Sequence, residues 1–485
     1  MDDSVDHASN GSTRDDTIDF VGKTILAPMV RTSTLPMRLL SLRLGADIVY
    51  TEEIIDYKLI RCQRVVNHLL GTVDYIDDNA VVVFRTCPQE SSRLVLQLGT
   101  NDSQRALRAA QMVVRDVAAI DVNMGCPKAF SVKGGMGSAL LTQPDKVVDI
   151  LQTLVRGVAK PITCKIRVLP SLEDTIRLVR RIESAGVRAL AVHGRTQSER
   201  PKDPNRNDYI RAIAAAVDIP VIGNGGSDEI QTYADIERFR QRTGCSSVMI
   251  ARSAQKNCSI FADREGLLAM DDVIRQYLEL CVDYDNHVMN TKYVIQQMLG
   301  PLQETPRGRE LLAAQTLRTI CRLWELNHYC DQTRIKRELT SKTSIENQNI
   351  VCNKRLKTCV DSGDEAVVEM DVIFVRNLFP TDPDLPKSRL LALAKGTGVE
   401  APVYETSGVR KNHFRTVCRF DGKCYSSRYL EKNKRYAEQS AALVALISLQ
   451  LIRDTDILAQ SVDAVSDMNR MTVTIDSHIY YIKTS

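Results

Sequence analysis

The sequence predicts an α/β TIM barrel, on three observations. Eight short apolar runs recur between residues 24 and 252, most of the segments between them carry helical periodicity, and polar residues gather where the runs end. The runs are TILAPM (24–29), DIVY (47–50), LVLQLG (94–99), AIDVNM (119–124), ITCKIRV (162–168), ALAVHG (189–194), PVIGNGG (220–226) and SVMIAR (247–252). Several are near-continuous in Val, Ile and Ala, as parallel strands buried on both faces must be. In 172–186, Leu172, Ile176, Val179 and Ile182 fall at helical spacing and Gly186 follows as a stop. A doubly wound sheet is the structural alternative, but eight such units within about 250 residues suit a barrel better.

The remaining chain of this 485-residue protein divides by composition. Residues 1–19 hold six Asp and no apolar run; they lack the basic start and apolar core of a signal peptide and read as a disordered, solvated tail. The barrel is assigned to 20–265. Residues 266–345 lose the strand signal and are rich in Leu, Arg, Glu and Gln, which predicts a small helical domain. Residues 346–369 are polar without a period and read as a linker. The order helix (386–395), strands (402–406, 414–420, 423–429) and helix (433–452) then predicts an α-β-β-β-α module within 370–455. Residues 456–485 form a tail with a possible hairpin, MTVTIDSHIYYI, of no assigned function.

No stretch approaches the 18 or so apolar residues of a membrane span, so no membrane partner is expected. Thirteen cysteines without a C-x-x-C pair argue against zinc and against a disulfide framework. Free thiols, no metal, and a monomer in the cytosol or nucleus are expected. The net charge of +4 hides an asymmetry. Residues 385–436 hold twelve Lys/Arg against four Asp/Glu, a balance of +8, which leaves −4 on the rest. A basic block on an acidic body points to a polyanion bound through one part of the molecule.

The strand ends carry the chemistry. Gln97 ends the third run, Asn123 and Cys126 the fourth, Lys165 and Arg167 the fifth, His193 and Arg195 the sixth, Asn224, Gly225 and Gly226 the seventh, and Arg252 the eighth. Taken singly each is an ordinary loop polar residue; their repetition at one end of the strands is what marks a site, because barrel active sites sit at that face. An inward-facing Lys is costly unless an anion or strong acceptor meets it. Gly225, Gly226 and Arg252 stand where such barrels bind phosphate, and Lys165 would lie nearer the middle of a bound cofactor.

These residues resemble the tRNA-dihydrouridine synthase family. LAPMV (26–30), NMGCPK (123–128) followed by GGMGSALL (134–141), TCKIR (163–167), HGRT (193–196) and NGG (224–226) look like its motifs in chain order over most of 20–345. The N-x-G-C-P block with its glycine loop is the most specific. With the C-terminal module, the chain is similar to the family's eukaryotic type-2 branch, which modifies position 20 of the D-loop. The resemblance implies FMN contacted by Pro28, Met29, Val30, Gln97, Lys165, His193, Asn224, Gly225, Gly226, Ala251 and Arg252. Many members carry Gly-Arg where this chain has Ala251-Arg252. It implies NADPH or NADH as reductant, hydride delivery to C6 of uracil, and a proton for C5 from Cys126. Asn123 and Arg195 are candidates to hold the uracil edge.

The C-terminal module resembles a double-stranded-RNA-binding domain, best in KNKRYAEQSAALVAL (432–446). Lys432, Lys434 and Arg435 stand where such domains touch phosphates, beside a helix N-terminus that favours anions. Ala437, Ala441, Val444 and Ile447 form the apolar stripe expected to face the sheet. Arg410 takes the place of a minor-groove His, and Glu438 that of a third Lys. Two other readings stay open: an FMN-dependent oxidoreductase of a small pyrimidine, which leaves the RNA module unexplained, and a non-catalytic RNA-binding adaptor, against which Cys126, Lys165 and His193 argue.

Overall fold

The structure is a computed structural model that describes residues 18–78, 81–314, 316–337, 340, 367–370, 374, 379, 381–383, 385–410, 413–427, 430–431, 433–449 and 451. It falls into two compact units, Met1–Thr333 and Arg334–Ser485. The first is a closed barrel of eight parallel strands: β1 (Thr24–Leu26), β2 (Ile48–Tyr50), β3 (Leu94–Gly99), β4 (Ala119–Met124), β5 (Ile162–Arg167), β6 (Ala189–His193), β7 (Val221–Asn224) and β8 (Ser247–Ile250). Each pairs with the next, and β8 pairs with β1 to close the ring.

The period of two decides which side chains fill the barrel. Ile25, Ile48, Tyr50, Val95, Ala119, Ala189, Ala191, Ile222 and Met249 form one buried cluster inside it. The alternate residues, such as Leu94, Leu96, Ile120, Val122, Ile166 and Val192, join the larger cluster between strands and helices. Followed toward their C-terminal ends, the inward stripes turn polar: Val95 then Gln97, Ala119 then Asp121 and Asn123, Ala191 then His193. Phe20 lies in the interior cluster, with Ile18 packed against it, on the N-terminal side. The barrel's packing therefore begins at Ile18, inside the segment assigned to the tail. Residues 1–17 lie outside the described residues.

The second strand–helix unit departs from the expected plan. After β2 the chain adds a two-residue strand at Ile54–Ile55 beside β3, a single turn at Asp56–Leu59, and three antiparallel strands, Gln63–Asn67, Thr72–Ile76 and Val82–Thr86. Arg64 anchors this sheet to Asp116, which Tyr75 Oη also meets, and Arg85 grips Asp74 through two nitrogens at 2.7 Å. The helical segment is not a separate body. Helices Met270–Asp283, Val288–Leu299, Pro306–Ala313 and Leu317–Arg322 share the barrel's outer core through Tyr277, Leu278, Ile295, Ile320 and Trp324.

The second unit contains the expected α-β-β-β-α order: helix Pro386–Thr397, β10 (Val403–Arg410), β11 (His413–Phe420), β12 (Lys423–Ser427) and helix Lys434–Ser448. It also contains a strand the sequence reading placed in the linker: β9 (Val367–Met370) pairs in parallel with β12. Its core is its own, built from Leu390, Ala394, Cys418, Phe420, Tyr425, Ala441, Val444 and Ile447. The expected stripe on the last helix is buried, and so are Gln439 and Ser440, because the first helix packs beside it and Gln439 Oε1 accepts the backbone N–H of Lys387 at 3.0 Å. The rest of the linker through 366 and the proposed hairpin at 471–482 lie outside the described residues.

Candidate active site

The loop after β1 is shaped from below. Ser33 Oγ donates to Ala27 O and accepts the N–H of Met29, and Arg38 donates to Ser33 O. Arg38 itself is 2% exposed and forms a two-point ion pair with the fully buried Glu90 at 2.7 and 2.8 Å. A buried pair of this kind adds little net stability, yet it fixes geometry because breaking it strands a charge. The loop presents Pro28 and Met29 half-buried and Val30 exposed at the mouth. Arg31 follows at φ +65°, with its N–H donated to Glu52 at 2.8 Å and its guanidinium 5.7 Å from the Tyr293 ring.

A chain of hydrogen bonds runs from the barrel interior to Cys126. Asp121, wholly buried, accepts from Thr163 Oγ1 at 2.7 Å and from Gln97 Nε2 at 2.8 Å. Gln97 Oε1 accepts from Asn123 Nδ2 at 2.9 Å, and Asn123 Oδ1 accepts the N–H groups of Gly125 and Cys126 at 3.0 and 2.9 Å. A carboxylate only accepts, so Asp121 dictates which end of each amide points where. Burial pushes its carboxyl up to about 6, against the pull of Gln97, Thr163 and Lys165. The oxygen of Asn123 is thus committed to the Cys126 loop. Asn123 positions that loop, a role the sequence reading did not give it.

Lys165 and His193 form the cationic and neutral parts of the floor. Lys165 stands level with Asn123 across β4 and β5, and His193 level with Arg167 and Asn224 across the next two pairings. Burial, then the Arg167 charge, brings the Lys165 ammonium down to about 8, while Asp121 and Cys126 oppose the fall. Burial and the surrounding Lys165, Arg167, Arg195 and Arg252 charges hold His193 well below its ordinary value. Its Nε2 lies 3.2 Å from Arg195 Nη1. A guanidinium can only donate, so Nε2 accepts and the ring proton sits on Nδ1.

Arg195 lines the cleft at this end of the barrel, with its guanidinium engaged by the protein. It is 3% exposed, and it donates to Asp203 O at 2.7 Å, Gly225 O at 3.0 Å and Pro201 O at 3.4 Å. HGRT therefore ties loops together at the wall of the cleft. Arg167 is the arginine beside the thiol: half-buried, it donates to Gly125 O at 2.9 Å and Thr196 O at 2.8 Å.

Gly225, Ala251 and Arg252 come together at one cleft, and Gly226 follows Gly225 in the chain. The cleft is lined by Gly225, Ser227, Ala251 and Arg252 together with Arg167, His193, Arg195 and Asn224. Gly225 has φ +108°, and any Cβ there would strike Asn205 Oδ1; one on Gly226 would strike the Phe239 ring. The glycines are required by what stands behind them, and their backbone is free to front the cleft for that reason. Arg252 opens a short helix and lies 3.3 Å from Asp228 Oδ2, to which Arg195 also reaches.

Cys126 is half-buried, and burial followed by the Glu53 charge pushes its thiol up. Glu53 and Asp121 are the two acids that sequence reasoning missed. Asp121 was legible as an inward position, since it is two residues before Asn123 on one strand. Glu53 follows a strand end, and only its neighbours in space mark it. Among the described residues no group of three or more His, Cys, Asp and Glu could hold a metal ion, and no helix is long and apolar enough to cross a membrane.

In the second unit Lys434 and Arg435 are exposed in the first turn of the last helix, which Asn433 caps by accepting the N–H of Tyr436 at 2.9 Å. Glu438 pairs with Lys387 of the first helix, and the Lys387 ammonium also sits 4.5 Å from the Tyr404 ring. Arg410 ends β10 next to a bulge, with its side chain outside the described residues, as is all of Lys432.

A family model described as dihydrouridine synthase (Dus) matches residues 25–305, and one described as double-stranded RNA binding motif matches 386–449. The chain is 40% identical to tRNA-dihydrouridine(20) synthase (NAD(P)+) of Schizosaccharomyces pombe over 313 residues, covering 62% of this chain and 64% of that protein. Against the protein of the same name from Saccharomyces cerevisiae it is 38% identical over 301 residues, 58% of this chain and 78% of the relative. Against tRNA-dihydrouridine(20a/20b) synthase of Schizosaccharomyces pombe it is 34% identical over 243 residues, 50% and 69% respectively. The chain thus spans just under two thirds of the length of the first of these relatives.

Proposed function

The chain belongs to the dihydrouridine synthase family, and we propose that it reduces a D-loop uridine of tRNA, at position 20, to 5,6-dihydrouridine, using NAD(P)H and bound FMN. The observation that carries this reading is the Asp121–Gln97–Asn123 chain, which fixes the Cys126 loop beside the half-buried Lys165. The choice of position rests on the higher identity to the synthases named for position 20 than to the one named for 20a/20b. The reading carries with it a monomer acting in the cytosol or nucleus.

The residues present fit FMN. Among the described residues no protein acceptor meets Lys165 Nζ, so a cation brought down toward neutrality waits for an electron-rich partner. Arg252 and the backbone at Gly225 and Gly226 would take the phosphate; Pro28, Met29, Val30, Gln97, His193, Asn224 and Ala251 would hold the ring system and its chain. When bound, FMN would supply the hydride for C6 of the uracil at the expense of NAD(P)H. Lys165 supplies positive charge, His193 stays neutral, and Cys126, its thiol kept protonated by burial and Glu53, gives the proton that C5 needs. The second unit grips the tRNA through Lys432, Lys434, Arg435 and Arg410.

The direct test is to incubate the protein with FMN, NADPH and tRNA lacking dihydrouridine, then map the product. Dihydrouridine at position 20 is expected; tRNA left unreduced while the flavin is reduced would refute the reading.

Lys165 gives a pH-dependent expectation. Its ammonium falls to about 8 in the free protein, so charge is lost as pH rises through that value. An anionic or acceptor partner favours the charged form, so FMN binding must restore the proton. Calorimetry of FMN binding in buffers of different ionisation enthalpy is expected to show uptake of up to about one proton near pH 9 and much less near pH 7. Equal uptake at both, retained in Lys165→Met, would assign the proton to another group.

A further inference from the structure

In the scheme above Glu53 acts only as a charge beside the thiol, and its surroundings are unusual. Both carboxyl oxygens are sealed from solvent and make no formed hydrogen bond. A sealed, unsatisfied carboxyl works against folding, and the fold keeps it beside the candidate thiol. The side chains that act on it are the Cys126 thiol and the Ser131 hydroxyl, and Ser131 Oγ is itself sealed and without a bond. Two glycines leave the space for this group. A Cβ on Gly99 would lie 2.6 Å from Glu53 Oε1; one on Gly137 would lie 2.5 Å from Ser131 Oγ and 3.0 Å from Cys126 Cβ.

We propose that Glu53 reloads Cys126, returning a proton to the thiolate left after each protonation of substrate, with Ser131 beside the path. The proposal rests on the reading that Cys126 protonates C5. In the first transfer the S–H bond of Cys126 breaks as C5–H forms. In the second, Glu53, a carboxylate while the thiol holds its proton, takes a proton from water, and its O–H bond then breaks as S–H forms again, leaving hydroxide to the solvent and Glu53 as the carboxylate it began as. Neither transfer moves electrons between molecules; the hydride accounts for both electrons of the reduction.

The electrostatics agree with the geometry. Burial first, eased by Cys126 and Ser131, pushes the Glu53 carboxyl up. Burial and then the Glu53 charge push the thiol up, while the Lys128 backbone N–H and the Ser131 hydroxyl pull the other way; Lys165 and Arg167 are the cations that face it. Two acids enclosed together resist being ionised together, so the thiolate formed in turnover raises the proton affinity of Glu53 and draws a proton from water through it.

The test is Glu53→Gln in the full chain, with two readouts. The first is alkylation of Cys126 by iodoacetamide across pH, followed on the Cys126 peptide by mass spectrometry. Removing the charge is expected to lower the midpoint by about one unit, so that alkylation at neutral pH rises roughly tenfold. The second is tRNA reduction by prereduced FMN enzyme. The first turnover starts with a protonated thiol and is expected to stay within about threefold of wild type, while later turnovers slow by about tenfold or more. Glu53→Asp, which retracts the carboxyl, moves both readouts the same way by less, and serves if Gln does not fold. An unchanged alkylation midpoint, or equal losses in first and later turnovers, overturns the proposal. So does a rise in KM for tRNA with kcat intact, which would place Glu53 on the uracil edge. Failure of the wild type to reduce tRNA refutes the function instead, since alkylation needs neither tRNA nor flavin.

Discussion

Cys126→Ala is expected to bind FMN and oxidise NAD(P)H as the wild type does, and to reduce tRNA about 100- to 10,000-fold more slowly. The separation follows from where the thiol sits. Most of the expected FMN contacts lie on the floor and the far side of the mouth, at Lys165, His193 and the cleft of Gly225, Ala251 and Arg252. Cys126 stands on the loop after β4, held there by the N–H bonds to Asn123 and by Ser138, whose N–H and hydroxyl both donate to Cys126 O at 3.1 and 3.0 Å. These bonds use the backbone of Cys126 alone, so truncating its side chain leaves the loop in place. What disappears is the acid. Cys126→Ser is expected to do little better, because an alcohol is a far weaker acid than a thiol. Stopped-flow absorbance separates the two half-reactions: flavin reduction by NAD(P)H stays within about twofold, and flavin reoxidation by tRNA slows by the full factor. Reoxidation at the wild-type rate in Cys126→Ala would mean that C5 receives its proton elsewhere.

The barrel was legible in the sequence because one physical rule, burial of parallel strands on both faces, writes itself as eight continuous apolar runs. The rule also placed Lys165, His193 and Asn224 at the mouth, since each ends an inward stripe. It failed where the chain leaves the pattern. The sheet at 63–86 replaces a helix with short strands whose exposed Val65, Val66 and Val82 break the alternation that would have announced them. Strand β9 is four residues long and takes its meaning from β12, more than fifty residues later. Arg195 shows a different limit. Its position predicts that it stands near the mouth, and it does, but side-chain direction is set by acceptors at Pro201, Asp203 and Gly225 that no local pattern reveals. Glu53 is invisible for the same reason: its meaning lies in Cys126, Ser131 and two distant glycines.

Removing the second unit is expected to leave an active flavoprotein that holds tRNA poorly. The first unit has its own core, so residues 1–345 are expected to fold and oxidise NAD(P)H. The charge distribution says where the grip lies. Residues 385–436 carry +8 and the rest of the chain −4, so neutralisation of phosphates falls mainly to the C-terminal module. Within it Lys387 is occupied by Glu438, whereas Lys434 and Arg435 are exposed at the helix start, where the dipole adds to their attraction. Affinity for a nucleic acid falls with salt in proportion to the phosphates contacted, by a slope of roughly 0.7 to 0.9 per contact. Lys432→Ala, Lys434→Ala and Arg435→Ala together are therefore expected to flatten the slope of log K against log salt by about 2 to 3. At moderate salt they are expected to weaken binding about tenfold or more. NAD(P)H-driven flavin reduction stays unchanged in the same protein. Binding of tRNA measured at several salt concentrations, for wild type, triple variant and 1–345, decides the matter. Identical affinities and slopes for all three would move the grip to the barrel unit, whose mouth would then have to supply its cations from Arg31, Arg167 and Arg252.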